Sequence, residues 1–170
     1  VLLSHRRTGR LVGSFGGWFM NRAFNAIGDE ALSPPVDQRS AAPFIYEEVE
    51  SPHATLQFGG RVEHMNLSAE GSPARSENDV SASLGAVWKL ADSYSVAWSA
   101  ARTARAPNTQ ELFANGPHAG TQAFETGDTA LAAERSLGLE LSLRRQTGFV
   151  TGAITIFSNR FSGYINEVAD

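Results

Sequence analysis

The stretch YSVAWSAARTARAPNTQELFANGPH, residues 94–118, changes character halfway along. Up to Ala101 it alternates, with Tyr94, Val96, Trp98 and Ala100 on one face and Ser95, Ala97, Ser99 and Ala101 on the other, which is the period of a β-strand. At Ala106-Pro107 the period stops, and a long polar segment runs to about Ala132. A strand that ends in so long an excursion, among neighbours joined by short turns, implies two ends in different surroundings.

The totals are compatible with that picture. In 170 residues, 42% hydrophobic, no apolar run reaches the roughly 20 residues a membrane helix needs. The same composition suits either an ordinary globular domain or a barrel whose wall needs apolar residues only at alternate positions. Cysteine is absent, which excludes disulfides and thiolate metal sites. Fourteen basic against 18 acidic residues, with no basic tract, give nucleic acid binding little electrostatic support. Lys89 is the one lysine beside 13 arginines, an unusual balance for a fully wetted surface. The start, VLLSHRRTGR, has neither methionine nor signal peptide, and the end, Tyr164 to Asp170, reads as mid-element; a piece of a longer precursor is expected.

Working outward, period two recurs along the chain. Val1 to Arg6 reads as the tail of a strand before a turn at Thr8-Gly9, and Arg10 to Met20 as a glycine-rich strand. A loop over 25–39 precedes extended structure over 40–48, then a short connection at 50–53. Thr55 to His64 sets Leu56, Phe58, Gly60 and Val62 against Thr55, Gln57, Gly59, Arg61 and Glu63. A polar loop over 65–79 leads into Val80 to Leu90, and 91–93 turns into the opening strand. Beyond the long loop, Ser136 to Arg144 carries leucines at 137, 139, 141 and 143; after a turn at 146–148 comes Val150 to Ser158. Gly13, Gly17, Gly59 and Gly60 fit places where a sheet curves or packs closely.

Short connections thus alternate with long ones, as in an up-and-down membrane barrel with short periplasmic turns and long extracellular loops. Trp88 and Tyr94 flank one short turn on the apolar face, where an aromatic girdle sits. The opposite face is small or charged, which suits a wide lumen. The expected fold is therefore all-β: an antiparallel transmembrane barrel sector of about eight strands from a larger barrel. The alternative is a soluble β-sandwich or lipocalin-like barrel, which alternates too.

Arg102-Thr-Ala-Arg-Ala-Pro-Asn-Thr-Gln-Glu-Leu-Phe113 resembles the signature of TonB-dependent outer-membrane receptors: an arginine-bearing strand end, R-A-P, then a Glu-Leu-aromatic cluster. The continuation, Ala114 to His118, Thr121 to Ala132, Glu134 to Ser136 and Phe157 to Ile165, resembles the branch linked to zinc uptake, as do NRAFNAIGDEALSPP and APFIYEE upstream. The resemblance implies a partial barrel domain over 1–170, from a barrel of about 22 strands, without its plug domain and barrel termini. It also implies a Gram-negative outer membrane location and TonB-energised uptake of zinc, iron or another metal or metal chelate. The implied partners are outer-membrane lipid, the plug, and the TonB complex; no cofactor is implied beyond a transported metal.

Within that resemblance, His118 with Glu125 and Asp128 in the long loop, and His64 at a strand entry on the same side, are the candidate metal ligands. Imidazole plus carboxylate is reasonable zinc chemistry, but a stable site needs three or four convergent ligands, and the histidines at 5, 53, 64 and 118 are scattered without ligand spacing. An ordinary exposed loop histidine is the competing reading of His118, and His53 belongs at the opposite end. Arg102 and Arg105 either attract an anionic ligand or anchor the loop through carboxylates such as Glu111; the second needs only local partners. Pro107 ends the ladder, and Asn108 or Thr109 caps a short turn holding Glu111, Leu112 and Phe113. Arg61, Glu63, Lys89, Glu140 and Arg144 are expected to face the lumen.

No nucleophile motif or carboxylate pair stands out, and the glycines at 13–17 lack the Lys-Ser/Thr and helix of a phosphate loop, so an enzyme is not expected. Besides the nutrient receptor, two other readings remain open: a passive porin or adhesin-like barrel, and a soluble β-domain that binds a partner through its loops.

Overall fold

The computed structural model describes residues 1–28, 31–91, 93–118 and 123–168. Two acids of the first loop (Asp29 and Glu30), Asp92 of the turn before the opening strand, positions 119–122 of the long loop, and the last two residues lie outside the described residues.

Eight strands form one antiparallel sheet: β1 (Leu2–Thr8), β2 (Leu11–Phe24), β3 (Val36–Glu50), β4 (Ala54–Ala69), β5 (Arg75–Ala91), β6 (Tyr94–Arg105), β9 (Glu134–Arg145) and β10 (Gly152–Ser162). Between β6 and β9 the long loop carries α1 (Thr109–Phe113) and a two-stranded sheet of β7 (Asn115–His118) and β8 (Ala123–Thr126). Each strand of the large sheet lies beside its predecessor, with β9 taking the place next to β6. Hairpin connectivity sets that order, and the side-chain period sets the register, because a slip of one residue would exchange the faces.

One row across the sheet shows the outcome. Leu11, Val49, Leu56, Ala86, Trp98, Leu141 and Ile156 are in register on one face. The adjacent row, Val12, Glu48, Gln57, Gly85, Ser99, Glu140 and Phe157, faces the other way. The apolar face is largely uncovered: Phe19 and Ile154 are 71% exposed and Leu141 52%. Gly13 lies in this face where the Tyr46 carbonyl and the Glu47 side chain pass so close that a Cβ would collide with both.

The buried core lies at one end of the polar face. Val36, Met65, Leu67 and Ala69 of β3 and β4 enclose Leu112 and Phe113 of α1, with Ala106 and Leu131 at the margin. The extended reach of β3, β4 and β5 explains it. Residues expected as loop over 65–79 are mostly strand, with the turn confined to 70–74, because Met65, Leu67 and Ala69 have an apolar layer to pack against. Similarly β3 begins at Val36 rather than at 40, since Val36 joins the same cluster.

The expected sector of a larger transmembrane barrel is corrected to an open arrangement. The described residues make two open sheets, of eight and two strands, with α1 packed on one end of the larger, and β1 and β10 each have a strand neighbour on one side only. An open edge in hydrocarbon leaves backbone N–H and C=O groups unpaired at several kcal/mol each, so a membrane wall must close on itself. Among the described residues this open architecture lacks the closed barrel on which outer-membrane localisation, contact with lipid, coupling to a plug and the TonB complex, and energised uptake all depend. Those expectations do not hold for it. Among the described residues no helix is long and apolar enough to cross a membrane, which leaves strands unaddressed.

Two substitutions test where the stability lies. Leu112, 1% exposed, should cost about 2–4 kcal/mol when changed to alanine, read as lost hydrogen-exchange protection of residues 110–117. Leu139→Ala, at a residue 51% exposed, should cost under about 1 kcal/mol in urea unfolding.

Candidate functional site: the loop layer and the cavity beneath it

The loop after β6 is a folded layer. Pro107, almost wholly buried, ends the strand, and Asn108 opens α1 as a complete capping box. Its Oδ1 accepts from the N–H groups of Gln110 and Glu111, both at 2.9 Å, while Glu111 Oε2 accepts from the Asn108 N–H at 2.7 Å. Backbone bonds then hold α1 to the hairpin: Gly127 N–H to the Ala114 carbonyl at 2.7 Å and Asp128 N–H to the Glu111 carbonyl at 2.9 Å. Gly127 is required by close approach, because a Cβ there would lie 2.6–2.7 Å from the backbone of Leu112, Phe113 and Ala114. The Asn115 N–H reaches the Leu32 carbonyl at 2.7 Å, tying the layer to the segment before β3.

Arginines fasten the layer to the sheet. Arg105 donates from Nη1 to both Glu111 oxygens, at 2.9 and 3.1 Å, and approaches Glu134 at 3.5 Å from Nη2. Hydrogen bonding to Glu111 raises its pKa further, so the guanidinium keeps its charge. Glu134 also accepts the Ile165 N–H at 3.1 Å. Arg75 pairs with Glu77 at 2.6 Å and donates to the carbonyls of Thr129, at 2.8 Å, and of Leu131. Arg102 lies on the apolar face and donates to the Val80 carbonyl at 2.8 Å. Arg105 therefore anchors the loop to Glu111, while Arg102 binds the neighbouring strand.

Under the layer is an open cavity of about 450 Å³, bounded by Arg22, Gln38, Arg61, Glu63 and Arg105 and by apolar groups from β2, β4 and the end of β6. Arg61 and Glu63 pair at 2.6 Å along one strand. Arg22 Nη2 donates to the Thr109 hydroxyl at 3.3 Å, and its guanidinium lies 5.8 Å from the Phe24 ring centroid. Of the polar-face charges expected to line a lumen, Arg61 and Glu63 line this cavity; Lys89, Glu140 and Arg144 share the face but are not among its lining residues.

The candidate metal ligands are distributed unevenly. His118 Nδ1 and the Glu125 carboxylate meet across the β7–β8 hairpin. Asp128 instead accepts the Ala130 N–H at 2.7 Å. His64 is on the sheet, its ring bonded to Asn78 at 2.9 Å and Asn66 at 3.0 Å. Among the described residues no three His, Cys, Asp or Glu side chains are grouped as a metal would require.

Several residues were not legible as site residues in the sequence. Arg22 continues the alternation of Trp18 and Met20 past the expected end of its strand, which was the available signal. Asp79, 7% exposed, sits in what reads as a turn-rich loop; among the described residues one of its oxygens has no hydrogen-bond partner, and burial, then the neighbouring Glu77, raises its pKa. His5 and Glu47 pair at 2.8 Å across Gly13 on the apolar face, a contact between residues 42 apart that no local pattern announces.

Asp79 yields a pH prediction. A carboxyl with its pKa raised by folding binds more protons folded than unfolded, so its contribution to stability falls as pH rises from the unfolded value of 3.8 through the raised one. Asp79→Asn should remove that part of the decline and increase stability at pH 7, measured by urea unfolding across pH 4–7. Asn108→Ala should loosen α1 by about 1 kcal/mol, read as faster exchange of the Gln110 and Glu111 amides.

Residues 3–170 match the family described as TonB dependent receptor-like, beta-barrel. Domains of this family are non-catalytic, and the chain is not an enzyme. The match distinguishes no zinc-related branch, so that expectation is corrected to the family level, and the sheets described above remain open although the family is named for a barrel. With nearly all of its length matched, the chain belongs to the TonB dependent receptor-like, beta-barrel family.

Proposed function

We propose that this chain is a non-catalytic recognition domain that binds a partner through the loop layer at one end of its large sheet. The observation that carries the reading is the packing of that layer. Leu112 and Phe113 are seated in a closed apolar cluster, and Arg105, Arg75 and the Asn108 cap hold the surrounding backbone. A surface ordered before binding does not have to be ordered by the partner, which favours affinity. Binding residues also concentrate on loops carried by a rigid scaffold.

A protein-observed NMR screen of the full chain with mixed small molecules and short peptides tests this. Saturable hits should shift resonances in 31–38 and 105–118 and disappear with Leu112→Asp, which expels the layer. Hits confined to the open strand edges or the apolar face would overturn the proposal.

A metal-binding role for the hairpin rests on one specific contact, that of His118 with Glu125. Two donors fall short of the three or four in a stable zinc site, so this reading requires a further ligand. Titration with Zn²⁺, followed by calorimetry, should show saturable binding lost in His118→Ala. An unchanged titration in the variant removes His118 from any metal site.

A further inference from the structure

We infer that the cavity under the loop layer takes a small organic monoanion, an apolar body bearing one carboxylate, with Arg22 as its anchor. The inference rests on the loop layer being the binding end and names what that end holds.

The charges decide the sign. Three arginines and one glutamate line the cavity. Glu63 is taken by Arg61 at 2.6 Å, and Arg105 is satisfied outside the lining by Glu111 and Glu134. Arg22 remains. Among the described residues it makes no ion pair, and its contacts are the neutral Thr109 hydroxyl at 3.3 Å and the Phe24 ring. A guanidinium presents five donors in a planar fork, of which one hydroxyl uses a single donor, and a carboxylate is the complementary acceptor.

The walls decide the rest of the ligand. Met20, Met65, Leu67, Ala104, Ala106 and Pro107 line the same space, so an inorganic anion would leave these groups facing water. Thioether side chains adapt to varied apolar shapes. A volume of about 450 Å³ lies within the range of small-molecule sites, and one unmatched cation matches one negative charge.

Phenylacetate, phenylacetamide and inorganic phosphate are the probes, titrated into the full chain and followed by the methyl resonances of Met20 and Met65. Phenylacetate should bind saturably at one site and the neutral amide at least tenfold more weakly. Arg22→Gln should weaken phenylacetate at least tenfold, Arg22→Lys less, and Arg160→Gln on the opposite face not at all. Because Arg22 is exposed and outside the buried cluster, its variants should keep the wild-type unfolding midpoint. Equal binding of acid and amide, or unaltered binding in Arg22→Gln, overturns the proposal. Phosphate binding as tightly as phenylacetate overturns its organic part. Failure of all three probes while screen hits still map to 31–38 and 105–118 rejects this ligand class and leaves the recognition reading standing; hits mapping elsewhere reject both.

Discussion

The seating of Leu112 and Phe113 against Val36, Met65, Leu67 and Ala69 is the contact on which the rest depends. Elsewhere the large sheet is one layer thick with its apolar face open, so the ladder hydrogen bonds act there with little apolar burial behind them. Where the loop returns onto β3 and β4, apolar surface leaves water on both sides at once. That burial extends β3 to β5 beyond their expected limits. It also orders a segment whose composition alone reads as polar loop.

The charged groups around this core act mainly as positioners. Exposed ion pairs contribute about 0–1 kcal/mol each, so Arg61–Glu63 and Arg105–Glu111 are weak sources of stability. Their value is geometric. Arg105 joins the end of β6, the first turn of α1 and the start of β9, three separate elements. Glu111 serves two purposes, accepting both from Arg105 and from the Asn108 N–H, so the loop cannot shift without breaking the cap and the ion pair together. Among the described residues Arg22 stands apart as the cation in the cavity lining without a carboxylate.

The open sheet limits how far family membership speaks for this chain. The period-two faces that invite a barrel reading are real, as the row from Leu11 to Ile156 shows, but alternation is a property of each strand. Closure is a property of the edges, and here β1 and β10 stay apart as the two edges of the sheet. No residue pattern within a strand states which strand it will lie beside at long range.

The sequence by itself determined the central parts of the large sheet's strands, which face of each is apolar, and that Pro107 ends one strand before a turn capped at Asn108 or Thr109. These follow from local sterics, from the two-residue period and from cap hydrogen bonds spanning three residues. Only the tertiary structure decided that the long loop folds back as a packed layer, that Arg102 reaches the Val80 carbonyl, that His118 meets Glu125 while His64 and Asp128 bond elsewhere, and that Arg22 joins a cavity with Thr109. The packed layer and the cavity unite residues far apart in the chain, such as Arg22 and Thr109 at a separation of 87, through burial that exists only once the sheet and the layer are together.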